Sequence, residues 1–503
     1  YKVGDRARLA AAHQQLVSGE TKAALRQADD VLARLPAWLA DEPRDLILQE
    51  AHGIRADALV TQSDRAGGLA ARRQAVDAAR RRLGRKPDEV LRTVDLVDAL
   101  NVLARQQRED GDVDGSIATA ADALALTDQA LARDPAAARA LEVRVRVLDA
   151  LADSYLAKRD LDNTLARYQD EIVAAQRLRE LDPASIWHVR ALAIAEEKIS
   201  TVLYYKNDLD GSMAHARRAL ELRDDLITRD PDNLQFQREV TVIYDRLSLL
   251  HQGKGQVDDA LAEADRSIAI RERLVARNPD NAQWRRDLAV ARFMRGESQA
   301  AAGRPDAAFA DYQLSVAAFR ALIELEPTVP DHVLDLSIAR HRIAMVLGRQ
   351  KRYAEAEPVV SEGIAELSRV AAAHPDLDRA VMSEASLQRV LSQLRVAAGR
   401  SGDAVAPAQR AVTLDEQLVA RNPDLDETQF ELAGSLVCAA EAIFLSDPAR
   451  RDEAFALLDR GLALGDALAA RTPGNVAQNQ QLATLRDTAV ARARGASGAA
   501  RAR

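Results

Sequence analysis

Small side chains recur along this chain at fixed intervals, and their spacing predicts the elements between them. One series runs Ala12, Ala56, Ala104, Ala152, Ser200, Ser248, Gly296, Ala344, Ser392 and Ala440. A second lies 12 residues after each, at Ala24, Gly68, Ser116, Thr164, Ser212, Ala260, Ala308, Ala356 and Ala404, and 14 after the last, at Ala454. In most units another small residue follows seven further on, as at Ala75, Ala123, Ala219 and Ser267, whereas Val31 and Glu171 break that pattern. Turn residues separate the first two series, as in Asp208-Leu-Asp-Gly211 and Gly303-Arg-Pro-Asp306. Larger residues such as Leu148, Leu151 and Tyr155 surround the small ones. Two antiparallel helices whose axes approach where side chains are small satisfy this pattern.

Prolines give the period. They fall at Pro87, Pro135, Pro183, Pro231, Pro279, Pro327, Pro375 and Pro423, each 48 residues after the last, with Pro36 and Pro473 flanking the series. Most sit in matching text, as in Arg133-Asp-Pro, Arg229-Asp-Pro, Arg277-Asn-Pro and Arg421-Asn-Pro. Proline cannot continue a helix and Asp or Asn beside it can cap the next one, so each marks a helix–helix junction. The stretch Leu141 to Leu148 alternates like a strand, but its place in the period assigns it to a helix. After Pro473, residues 475–494 read as one more amphipathic helix, a cap over the last apolar face, and 495–503 as a frayed basic tail.

Small residues at a first position, 12 and 19 residues on, with a closing proline, resemble the tetratricopeptide repeat, whose usual length is roughly 34 residues. Two further helical turns in each helix lengthen that unit to 48 without rotating its apolar face. The resemblance covers about residues 4–474 and implies an all-α fold over 1–474. The implied architecture is an α-solenoid, a right-handed superhelix of about ten helix pairs plus the capping helix. Similar long-helix units are attached to bacterial serine/threonine kinases and other bacterial signalling proteins.

Composition agrees with the helices. Alanine fills about a fifth of the chain while aromatic residues make up 4%, a balance that favours helix over strand. No uninterrupted apolar run reaches membrane-spanning length; Glu441 breaks the longest, Ser435 to Leu445. The net charge of −8 disfavours nucleic acid as a partner. A cytoplasmic location is expected, or an extracytoplasmic one if a signal or anchor precedes Tyr1.

Signals for chemistry are sparse. The eight histidines show no zinc spacing, and Gly253-Lys254-Gly255 lacks the rest of a phosphate-binding loop. Asp110-Gly-Asp-Val-Asp-Gly115 begins like a calcium loop, but its twelfth place is Ala121 and the stretch coincides with an interhelical turn. Cys438 reads as a buried thiol. The basic run Arg80 to Lys86 reads as a solvated loop. No catalytic, cofactor or metal residues are expected, and the chain reads as a non-catalytic interaction scaffold. The alternative is the regulatory region of a larger signalling enzyme whose catalytic domain lies upstream of Tyr1.

The family resemblance implies where a partner would lie, on the first helix of each pair, three residues before and one after the first small position, with further residues a turn away. Carried onto this sequence, that register gives Asp57, Arg105, Asp149, Asp153, Glu197 and Asp245 in the earlier units. In the middle and later units it gives Tyr204, Leu249, Phe293, Glu297, His341 and Met345. An acidic stripe running into an apolar patch would suit a basic, amphipathic peptide or protein segment.

Overall fold

The structure is a computed structural model that describes residues 2–36, 39–471 and 480. Within them the chain forms twenty α-helices and no strand. The first helices of the pairs are α1 (Lys2–Val17), α3 (Asp41–Thr61), α5 (Val90–Glu109), α7 (Ala138–Ala157) and α9 (Ile186–Tyr205). They continue with α11 (Leu234–Gly253), α13 (Ala282–Ala301), α15 (Pro330–Arg349), α17 (Asp378–Ala397) and α19 (Asp426–Ser446). The second helices are α2 (Thr21–Arg34), α4 (Arg65–Arg85), α6 (Val113–Arg133), α8 (Leu161–Leu181) and α10 (Leu209–Arg229). They end with α12 (Val257–Arg277), α14 (Pro305–Leu325), α16 (Tyr353–Ala373), α18 (Ser401–Arg421) and α20 (Arg451–Arg471).

The predicted crossing positions are where the pairs close. Every residue of both small series is buried, from Ala12 and Ala24 to Ala440 and Ala454. Where serines occupy the positions they bond across the contact, as in Ser200 Oγ to Ser212 Oγ at 3.0 Å. A Cβ on Gly296 would lie 2.7 Å from Tyr312 Cε1, so an aromatic ring on α14 requires glycine there. The alternating stretch 141–148 is helical, inside α7. The 14-residue spacing of the last pair has a local cause: a short 3₁₀ turn, Pro448–Arg450, is inserted before α20.

Turns repeat with the helices. The second residue after every first helix but α19 adopts a left-handed conformation, at Gly19, Ser63, Gly111, Arg159, Asn207, Gly255, Gly303, Lys351 and Gly399. Each closes the helix in the Schellman manner, as where Gln256 N donates to His251 O at 2.8 Å. An aspartate then caps several second helices: Asp208 Oδ1 accepts from Gly211 N at 2.9 Å, and Asp112 from Gly115 N at 2.9 Å. The calcium-like stretch is therefore an Asp-capped turn. At the other junction the aspartate before proline does not cap the following helix. Asp134 and Asp182 accept from the backbone two residues on, and Asn233 and Asn281 cap the next helices. The arginine of the Arg-Asp-Pro or Arg-Asn-Pro text reaches back one unit: Arg133, Arg229 and Arg421 donate to the carbonyls of Pro87, Pro183 and Pro375 at 2.8–2.9 Å.

By compactness the chain divides into two units, Tyr1–Gln256 and Val257–Arg503. The division falls in the turn between α11 and α12. Within each unit the buried apolar residues form separate clusters, such as Ala152, Tyr168, Ile199, Val202 and Leu203 in the first. Ala289, Phe319, Leu322 and Leu336 form another in the second. Each cluster joins successive helices, which is the packing of an α-solenoid rather than of a single globular core. The helix α19 is long and apolar enough to cross a membrane by length and composition alone. It packs against α17, α18 and α20 and buries Leu432, Leu436, Ala439 and Ile443. The capping helix expected over 475–494 and the tail 495–503 lie outside the described residues, apart from Gln480.

Candidate functional site

All twelve partner-facing residues expected from the sequence lie on first helices. Asp57 is on α3, Arg105 on α5, Asp149 and Asp153 on α7, Glu197 and Tyr204 on α9, Asp245 and Leu249 on α11, Phe293 and Glu297 on α13, His341 and Met345 on α15. Asp57, Arg105 and Met345 are exposed and the other nine are half-buried.

The acidic residues of the first unit do not form a bare stripe. Lys198 of α9 pairs with Asp149 and, at 3.4 Å, with Asp153, while Arg108 of α5 reaches Asp153 at 3.2 Å. Tyr168 of α8 donates its hydroxyl to Asp153 at 2.7 Å. Arg223 of α10 holds Glu197 at 3.3 Å, and Arg146 of α7 holds Asp98 at 2.6 Å. Burial raises the carboxyls of Asp149 and Glu197 above the usual range, against the pull of their basic partners. The cations are missed by a reading that lists one register position at a time, because each partner comes from a neighbouring helix 26 to 49 residues away. Tyr204 has the Arg246 guanidinium 5.5 Å above its ring.

The second unit has a different face. Arg286 of α13 pairs with Asp335 of α15 at 2.8 Å, and Arg342 of α15 pairs with Glu297 of α13 at 2.9 Å. Tyr312 adds a hydroxyl donation to Glu297 at 2.5 Å. On the same helix stripes, between the two ion pairs, lie Val290 (37% exposed), Met294 (48%) and Ile338 (46%), with Met345 (37%) one turn further on. Phe293 is turned inward, its ring 5.5 Å from that of Tyr312. Burial and the charges of Arg342 and Arg389 push the His341 imidazole down to about 4, so it is neutral at pH 7. Val290, Met294 and Ile338 escaped the register carried over from the family. Val290 and Ile338 are 48 residues apart, and that equivalence was the available signal.

Other sequence features resolve into packing. Arg81 and Arg85 of the basic run both bond Asp45, at 2.9 and 2.6 Å, and the buried Arg82 pairs with Asp95 at 2.8 Å. The run is thus the charged end of α4 tied to α3 and α5, rather than a solvated loop. Cys438 is buried on α19. Among the described residues no group of three or more His, Cys, Asp or Glu side chains is placed to hold a metal ion.

Antiparallel helix pairs, small residues at both crossing positions and a fixed repeat of 48 residues define the architecture. In its small-residue spacing the repeat resembles the tetratricopeptide repeat. No family model matches the chain, and no curated protein matches it. Among solved structures, the chain is similar to apo RapI at 12% identity and TM-score 0.44, over 89% of this chain and 97% of that one. It is similar to BtubC from P. vanneervenii at 20% identity and TM-score 0.40, over 50% of this chain and 90% of that one. With yeast Tom70 it shares 12% identity at TM-score 0.31, over 97% of this chain and 96% of that one.

Proposed function

We propose that the chain is a non-catalytic scaffold whose first-helix face binds a protein or peptide, with the principal contact on α13 and α15 of the second unit. The observation that carries this reading is the apolar strip Val290, Met294 and Ile338, open to solvent and bracketed by the Arg286–Asp335 and Glu297–Arg342 ion pairs. Four large apolar side chains within one stripe, with Met345, form a patch that burial by a partner would stabilise. The two methionines are unbranched and adapt to different partner shapes. Fixed ion pairs at its ends limit how a partner can slide along it. An amphipathic helix or an extended segment presenting an apolar row fits this surface.

The test is a charge placed in the strip. The double variant Met294→Glu/Ile338→Glu should weaken binding of a partner recovered and identified with the wild-type chain at least tenfold. Its far-UV circular dichroism and melting temperature should stay unchanged, because both side chains are exposed. Unaltered affinity in a folded variant would rule the strip out as the contact.

A further inference from the structure

In the first unit, three carboxyl groups converge between α7, α8 and α9 against fewer cations than they need. Asp149 and Asp153 project from α7, and Glu171 comes from α8, at a position that is small in most other units. Glu171 is 2% exposed, and its Oε2 has no hydrogen-bond partner among the described residues. The charged groups that face it are Asp149 and Asp153 from α7 and Lys198 from α9. Asp153 is fully engaged by Tyr168, Lys198 and Arg108. Asp149, by contrast, has Lys198 alone and keeps 37% of its side chain open to solvent. The Lys198 ammonium lies 5.3 Å from the centre of the Tyr168 ring, reaching over α8 towards both carboxyls.

The charge count is three carboxyls to two cations, Lys198 and Arg108. Burial, reinforced by the nearby Asp149, holds the Glu171 carboxyl well above its ordinary range and so favours its protonated form. That proton stands where a third positive charge would balance the cluster. Resting on the reading of the first-helix face as a docking surface, we propose that Asp149, with Asp153 and Glu171 behind it, is the site for one cationic side chain of a basic peptide. The incoming guanidinium or ammonium pairs with the open side of Asp149. Lys198, released from Asp149, turns to Glu171. Glu171 ionises to meet it, and its proton passes to solvent. One positive charge enters, one proton leaves, and three carboxylates then face three cations. Burial makes an unpaired third carboxylate costly, so the proton departs only when the cation arrives.

The experiment is calorimetric titration of hexa-arginine amide into the full chain at pH 7, in phosphate and in Tris, whose different ionisation heats report protons released. Wild type should release a large fraction of one proton per bound peptide. Glu171→Gln, which copies the protonated carboxyl but cannot ionise to receive Lys198, should bind at least threefold more weakly and release none. Asp149→Asn should bind at least tenfold more weakly, whereas Asp225→Asn, a carboxylate paired with Arg229 on α10, should match wild type. The proposal is overturned if the wild-type chain does not bind the peptide, if Glu171→Gln releases protons as wild type does, or if a folded Asp149→Asn binds as tightly. Folding of each variant is checked by circular dichroism. These outcomes are independent of the Met294/Ile338 variant: loss of peptide capture there with proton counts as predicted, or the reverse, separates the two sites.

Discussion

Residues buried away from their usual surroundings set the chain's most specific energetic signatures. Burial pushes Asp415 of α18 up to about 6, although Ser435 Oγ donates to it at 2.6 Å. A raised carboxyl keeps its proton in the folded state after the unfolded chain has lost it, so stability falls as pH rises from about 4 to about 6. Asp415→Asn should remove that loss and gain about 2–3 kcal/mol at pH 7, read as the variant-minus-wild-type difference in urea unfolding across pH 4–7. The difference is the right observable because His341 slopes the other way. Its folded value is depressed to about 4, so its contribution is present above about 6.5 and lost as pH falls through that window. At the crossing positions Gly296→Leu should cost about 1–3 kcal/mol by overpacking against Tyr312, measured by the same unfolding assay. The need for a small residue at 296 is plain in the sequence. The ring that explains it is not, since Tyr312 stands where most other second helices carry alanine. Phe293 belongs to the same lesson: placed on the partner face by register, it packs on Tyr312 instead, and the exposed Met294 beside it takes the surface position.

Among elements, boundaries were the most legible feature because proline and glycine chemistry fixes them. The left-handed residue recurs every 48 positions, from Ser63 to Lys351 and Gly399, whether or not the sequence supplies glycine. Arg159 has a φ of +59°, where a Cβ is strained. Arg159→Gly should therefore stabilise the first unit by about 0.5–1 kcal/mol in thermal or urea unfolding, the relief of strain outweighing the added freedom of the unfolded chain. Asp208→Ala should cost about 1 kcal/mol by uncapping α10. What the helix pattern did not reveal is how successive pairs are tied along their edges. Lys158, Lys206 and Lys254 reach back to Asp114, Asp162 and Asp210, and the junction arginines reach back to proline carbonyls. Each such tie spans 44 to 46 residues, just short of the period, and so leaves no mark on a repeat alignment. Exposed pairs of this kind contribute little singly and weaken with salt.

For the whole molecule, the absence of a shared core governs both folding and function. Contacts run between successive helices, so damage should remain near its origin. Ala152→Leu, at the α7–α8 crossing, should accelerate amide hydrogen exchange in α7 to α9 while α15 to α18 keep their wild-type protection. Length alone suggests several globular domains, and the period replaced them with repeated pairs. The division into two compact units at the α11–α12 turn carries no mark in that period. Function was legible only as a class. An expected acidic stripe proved to be a paired network once α9 brought Lys198 beside α7, and the open apolar strip proved to belong to α13 and α15. The most direct test of that assignment places a photo-activated crosslinking amino acid at one position at a time in the partner-bound chain. Substitution at Met294 should give an abundant covalent adduct with the partner, and substitution at Leu314, equally exposed on the second helix α14, should give none. Adducts from Leu314 and none from Met294 would contradict the account and move the partner to the opposite helices.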